Sequence, residues 1–261
     1  MTAAAPGGRL GGRRIVVTRP AGQNERLAAL IRAEGGEPIA FPALEILDPA
    51  DVRPLAAAID RLDHYDLAVF VSPSAVDKAM PVICVRRGWP AGLKAATVGR
   101  GSEQALRRYG VAEVIVPVDR FDSEALLDRP ELADVAGRRI VVFRGDGGRE
   151  LLGDTLRSRG ATVDYVECYR RGRPKADVSA LLRAWERGEV DAVTISSREG
   201  LRNLFDLLGE GGRQQLQRTA LFAPHPRIAE HARSLGCQRV IETAPGDEGI
   251  AAALAAFWEK M

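Results

Sequence analysis

Short apolar runs recur along the chain, and most are separated by segments of helical period. Residues 14–18 (Arg-Ile-Val-Val-Thr) read as a strand. Over residues 24–34, Leu27, Leu30 and Ile31 share one helical face, and Gly35-Gly36 closes that helix. Further strands are predicted at residues 67–71, 95–98, 114–116, 140–143, 192–195, 220–222 and 240–241. Runs that are apolar throughout, rather than alternating, indicate parallel sheets covered on both faces by helices. Residues 37–44 and 163–169 differ in kind, being extended and rich in β-formers or proline. Each suits a strand that leaves its domain, and paired together they would form an interdomain connection.

The pattern repeats. "RIVVTRPAGQNERLAALIRAEGG", starting at Arg14, lies over "RIVVFRGDGGRELLGDTLRSRGA", starting at Arg139, with ten of 23 positions identical. Arg19/Arg144, Gly22/Gly147, Glu25/Glu150 and Gly35/Gly160 are among them. Strand–helix alternation imposes shared apolar positions, but it does not impose shared Arg, Glu and Gly. Nearly the same offset sets Asp66 over Asp191, Ser72 over Ser197, and "TVGRGSEQALRRYG" over "APHPRIAEHARSLG". The chain therefore carries two related α/β halves, an arrangement that commonly makes a cleft for a ligand.

Composition narrows the class. A hydrophobic fraction of 46% and a charged fraction of 28% are ordinary for a globular protein, and a net charge of +2 gives no reason to expect nucleic acid. Cys84, Cys168 and Cys237 are widely spaced, with no CxxC and no Cys/His cluster, so a structural metal is not expected. That sparse, odd set suits a reducing cytosol. Residues 1–12 are Ala/Gly-rich without an apolar core, which reads as a flexible tail and not as a signal peptide. No apolar run is long enough to span a membrane.

The candidate chemistry lies at strand ends. Arg144-Gly145-Asp146-Gly147-Gly148-Arg149 follows a strand and opens a helix, a geometry that can cradle an anion. It is neither GxxxxGK[ST] nor GxGxxG, which counts against a nucleotide. A plain tight turn and a carboxylate-binding turn both stay open. Ser72-Pro73-Ser74 and Ser196-Ser197 end strands before helices, where serine is an N-cap first and a ligand contact second. His225 and Arg227, in "APHPR", close another strand, and Tyr169 stands in "ECYRR" on the second extended segment. No acid/base pair or catalytic triad is evident.

These pieces share an order. "TRPAGQ", "FVSPSAV", "TVGRGSEQALRRYG", "FDSEALL", "FRGDGGRELL", "ECYRR", "TISSREGL", "HPRIAEHARSLG" and "APGDEGI" follow one another across almost the whole chain. The succession resembles the uroporphyrinogen-III synthase family in its proteobacterial form.

The resemblance implies an α/β fold of two flavodoxin-like doubly wound parallel-sheet domains. They would be joined by a two-stranded β ladder, with one domain inserted in the other. Domain 1 would take residues 13–41 and 169–261, and domain 2 residues 42–168. The implied reaction is a cofactor-free, metal-free cyclisation of hydroxymethylbilane, with loss of water and inversion of the last pyrrole ring. Tyr169 matches the family's cleft tyrosine and would donate a hydrogen bond to the departing hydroxyl. Ser72 and Ser197 match the strand-end serines, and Gly99 and Ser102 a Gly-x-x-Thr turn with Ser in place of Thr. Arg144, Gly145 and Gly148 match the Arg-Gly turn. Arg19, Ser74, Ser123, Ser196, His225 and Arg227 complete the expected substrate contacts. Ile228 stands where the second half would carry the turn threonine, so that hydroxyl contact does not carry over. The family also suggests a cytoplasmic monomer that meets the preceding pathway enzyme transiently, with neither nucleic acid nor membrane as partner. A two-domain binding protein for a small anion, and a tetrapyrrole sensor without turnover, are the alternatives.

Overall fold

The computed structural model describes residues 8–259. Its strands, in chain order, are β1 (Arg14–Val17), β2 (Glu37–Ala40), β3 (Glu45–Leu47), β4 (Leu67–Phe70), β5 (Lys94–Thr97), β6 (Val114–Ile115), β7 (Arg139–Gly145), β8 (Thr162–Gly172), β9 (Ala192–Thr194), β10 (Ala220–Ala223) and β11 (Val240–Glu242). Every strand expected from an apolar run is present. Only β3, three residues long and without a buried position, went unforeseen.

The strands form two sheets. One has the order β11-β10-β9-β1-β2, with all neighbours parallel. The other has the order β3-β8-β7-β4-β5-β6, with the neighbours from β8 to β6 parallel. The chain divides accordingly into two compact units, Met1–Glu45 with Gly172–Met261, and Ile46–Arg171. Tyr169, on β8, lies in the second unit.

Each sheet is covered on both faces, which is why its central strands have no polar side. In β4, Ala68 and Phe70 pack on one face with the helices Arg53–Asp60, Pro73–Arg86 and Arg100–Arg108. Leu67 and Val69 pack on the other with Leu126, Leu152 and Leu156. In β1, Val16 joins one cluster, while Ile15 and Val17 join another built on the helices Glu25–Ala33 and Gly246–Trp258. Period-two side-chain direction accounts for both divisions.

The internal repeat reaches down to single hydrogen bonds. Asp66 accepts from the Arg139 backbone N–H at 2.8 Å, and its counterpart Asp191 accepts from the Arg14 N–H at 2.8 Å. Gly22 and Gly147 have φ of +81° and +66°, and Gly35 and Gly160 have +78° and +86°. These conserved-in-duplicate positions are the left-handed turns that only glycine adopts without strain.

Two expectations are corrected. Residues 37–44 do not pair with 163–169. β2 lies beside β1 as the edge strand of the first sheet, and the N–H groups of Phe41 and Ala43 go on to bond the carbonyls of Val17 and Thr18. The neighbour of β8 is instead β3. Nor do residues 8–12 belong to a loose tail. Leu10 is 1% exposed and packs among Ile15, Leu27 and Ile31, while its N–H bonds the Glu34 carbonyl at 2.8 Å. Residues 1–7 of the expected tail lie outside the described residues. Leu10→Ala is expected to cost about 2–5 kcal/mol in urea unfolding; a loss below about 0.5 kcal/mol, the range of an ordinary surface change, would restore the tail reading. Among the described residues, no helix is long and apolar enough to cross a membrane.

Candidate active site

In a parallel sheet the carboxyl ends of the strands share one edge, where helix N-termini point free N–H groups. Strand ends at Ser72, Gly99, Ser197 and His225 have the same extended backbone, with φ of −164°, −166°, −154° and −155°, and each precedes a helix. Ser72 Oγ accepts from Ala75 N at 3.1 Å, Ser197 Oγ from Gly200 N at 2.9 Å, and His225 Nδ1 from Arg227 N at 3.1 Å. The capping role of these side chains is therefore real, and it leaves each with further hydrogen-bonding capacity. Ser74 and Ser102 are buried in the first turns of their helices, and Ile228 fills the position equivalent to Ser102. Ser196 and Arg227 are exposed. Ser123 is the first residue of the short helix Ser123–Leu127, whose cap is Asp122, accepting from Ala125 N at 2.8 Å.

In the second unit the decisive irregularity is in β8. Its register with β7 steps from Arg144↔Glu167 to Gly145↔Tyr169, so Cys168 is an extra residue. Before the step, Val163 and Tyr165 face one core and Val166 the other. Strict alternation would return Tyr169 to the Tyr165 face. The bulge instead puts Tyr169 on the face of Val166 and Cys168, among Phe70, Ala75 and Phe143. Tyr169 is 1% exposed. Its ring packs against Gly145, where an added Cβ would come within 2.6 Å of it.

The Tyr169 hydroxyl is 3.0 Å from Ser72 Oγ and accepts from Arg171 Nη2 at 3.1 Å. The Arg171 guanidinium also sits 5.4 Å from the centre of the tyrosine ring. Asp146 holds the same stretch, accepting from Arg171 N at 2.9 Å, while its own N–H bonds the Tyr169 carbonyl at 2.9 Å. Cys168 donates to the Arg144 carbonyl at 3.2 Å. Burial pushes its thiol up to about 12, so it stays protonated and serves as a packed, weak donor and not as a nucleophile.

On the other face, the Arg144–Arg149 turn borders a cavity of about 170 Å³ whose walls include Ser123, Arg144, Gly145, Gly148, Arg149 and Arg171. Arg144 is 6% exposed. It pairs with Glu150 at 2.9 Å and lies 4.5 Å from the centre of the Tyr165 ring. Gly148, at φ +123°, leaves room for it, since a Cβ there would stand 3.0 Å from Arg144 Nη2. The Tyr165 hydroxyl accepts from Gly153 N at 2.9 Å and donates to the Glu150 carbonyl at 3.2 Å. Burial raises its pKa, which keeps it a neutral strut. Arg149 pairs with Glu124 at 2.6 Å. The cavity lining holds three guanidinium groups, of which Arg144 and Arg149 are already paired with Glu150 and Glu124.

In the first unit Arg19, the duplicate of Arg144, pairs with Asp247 at 2.5 Å. The contact is an ion pair without hydrogen-bond alignment, because Arg19 Nε and Asp247 Oδ1 are both buried with no hydrogen-bond partner among the described residues. Burial raises the pKa of Asp247, and the Arg19 charge opposes that rise.

The model of the family "Uroporphyrinogen-III synthase HemD" matches residues 25–252. The chain belongs to the uroporphyrinogen-III synthase family. It is 35% identical over 237 residues to the uroporphyrinogen-III synthases of Salmonella typhimurium and Escherichia coli, covering 89% of this chain and 96% of each relative. Its fold is similar to a mutant uroporphyrinogen III synthase from Thermus thermophilus, with a TM-score of 0.60 at 21% identity over 95% of this chain and 98% of the other. The enzyme from Helicobacter pylori gives a TM-score of 0.56 at 12% identity over 94% and 99%.

Within this synthase family member, the structure brings Tyr169 to Ser72, and Ser123, Arg144, Gly145 and Gly148 to one cavity. Sequence reasoning missed Arg171, Glu150 and Asp247. "ECYRR" carried Arg171 in plain view, but a bulge is invisible in a run of residues with no glycine to mark it. Glu150 is a repeat identity in the sequence, but its duplicate Glu25 does not do the same job: Arg19 takes its carboxylate from the last helix instead.

Proposed function

We propose that this chain converts hydroxymethylbilane to uroporphyrinogen III. The terminal hydroxyl leaves as water, the last pyrrole ring is inverted, and the macrocycle closes. The observation that carries the reading is the hydrogen-bonded Tyr169 hydroxyl beside the strand-end Ser72 in a member of this family. The substrate is reactive and carries many carboxylates, so conformational control is the main demand on the protein. Turns rich in N–H donors and guanidinium groups answer that demand. In the second unit the cavity at Ser123, Arg144, Gly145 and Gly148 would hold carboxylates, as would Ser74, Gly99 and Ser102 at neighbouring strand ends. In the first unit the same role falls to Arg19, Ser196, Ser197, His225 and Arg227. Tyr169 is the side chain on which departure of the hydroxyl depends.

A finer fold assignment goes with this function. The first sheet has the flavodoxin order 2-1-3-4-5, and the second has it once β7 and β8 are matched to their repeats β1 and β2, which supports two flavodoxin-like domains, one inserted in the other, with β3 and β8 as the ladder. A cytoplasmic, monomeric enzyme that receives substrate by transient contact with its predecessor completes the reading.

Purified protein supplied with enzymatically generated hydroxymethylbilane is expected to give the type III isomer. Type I product alone would remove the synthase assignment and leave a binding protein or sensor.

A further inference from the structure

We infer that Arg171 is a positioning residue of the reaction: through Tyr169 it makes the Ser72 hydroxyl the hydrogen-bond donor that meets the departing oxygen. This rests on the synthase reading. A guanidinium has donors and no acceptor, so the Arg171–Tyr169 contact at 3.1 Å has only one polarity, with the tyrosine oxygen accepting. Ser72 Oγ already accepts from Ala75 N at 3.1 Å. The two hydroxyls have one contact between them, at 3.0 Å, and one proton in that contact. One hydroxyl proton therefore remains to be donated elsewhere.

Its place follows from burial. If Ser72 donated to Tyr169, the tyrosine proton would need another acceptor. Tyr169 is 1% exposed, and its hydroxyl has Ser72 and Arg171 as its polar partners among the described residues. A buried donor without an acceptor is costly. If Tyr169 donates to Ser72, no group is left unpaired inside, and the spare proton belongs to Ser72. Ser72 is only half-buried and stands at the carboxyl end of β4. The chain of bonds then runs one way, from Arg171 to Tyr169 to Ser72 and outward. Removing Arg171 frees the tyrosine oxygen to accept from Ser72, and the outward donor loses its preferred direction.

The test is a double-mutant cycle on the full-length protein, reading kcat and KM for type III isomer formation from enzymatically generated hydroxymethylbilane. Arg171→Met is expected to lower kcat about tenfold with KM little changed, the loss of roughly one hydrogen bond's worth of orientation. In a Tyr169→Phe background the same substitution is expected to change kcat by less than about twofold, because residues acting in series do not multiply. Arg171→Lys, which keeps a donor, is expected to recover part of the kcat. Multiplying effects, or a raised KM with unchanged kcat, would overturn the proposal and make Arg171 a direct carboxylate contact. If Arg171→Met does not fold, as judged by circular dichroism, Arg171→Ala, which also lacks a donor, carries the same cycle. Wild-type protein that yields no type III isomer would fail the synthase reading itself, a result distinct from a failed cycle.

Discussion

Tyr169→Phe is expected to lower kcat about 100-fold, the low end of what a positioned hydrogen-bonding or proton-transferring side chain contributes. The substitution removes the oxygen alone. The ring keeps its place against Gly145 and among Phe70, Ala75 and Phe143. What is lost is the bond to Ser72 and the acceptor for Arg171. Loss of these two bonds costs about 2 kcal/mol of stability. For a chain of this size that is a fall of about 4–8 °C in melting temperature. Activity and stability should therefore part company in this variant. Steady-state kinetics beside a melting curve checks it, and turnover within about threefold of wild type would take Tyr169 out of the mechanism.

Gly145→Val is expected to disable the site by another route, losing both stability and turnover. The Gly145 backbone lies in β7, so the objection to a side chain is space and not φ. A Cβ would stand 2.6 Å from one ring carbon of Tyr169, 2.7 Å from another and 3.0 Å from its oxygen. The ring can withdraw only at a cost, because Cys168 and the β7–β8 ladder fix its backbone. Overpacking of this kind costs about 1–3 kcal/mol. Displacing the ring also breaks both hydroxyl contacts, so the loss of kcat should match or exceed that of Tyr169→Phe. The smaller Gly145→Ala/Tyr169→Leu pair separates the two effects: stability should recover relative to Gly145→Ala while activity does not. Wild-type melting and turnover in Gly145→Ala would show that the close approach is not essential.

The duplicated turn shows why similarity between the halves is a guide to backbone more than to side-chain chemistry. Gly22 and Gly147 keep the same left-handed conformation, and Asp66 and Asp191 make the same bond to a strand's first N–H. These are local demands, met by residues close to the chain path they stabilise. Arg19 and Arg144 are also aligned, yet one pairs with a carboxylate from the final helix and the other with one six residues away. Long side chains select partners from whatever the tertiary fold brings near.

Much of this protein was determined by its sequence alone. Continuous apolar runs demanded strands buried on both faces, and those faces could only be covered by the amphipathic helices between them. Glycine after each first helix ended it, and the ordered motifs marked the family. The expected strand-end serines are indeed caps, because capping is decided within three residues. Three things were decided only in three dimensions. Leu10, in a stretch that reads as tail, is buried because a core built from Ile15, Leu27 and Ile31 has room for it. Residues 37–43 run beside β1 and its extension, a pairing between strands distant enough in sequence that only the fold selects it. Tyr169 meets Ser72 because one extra residue at Cys168 reverses the alternation of β8. Side-chain alternation along a strand is a local rule, whereas the register of two strands is set by the packing of everything around them.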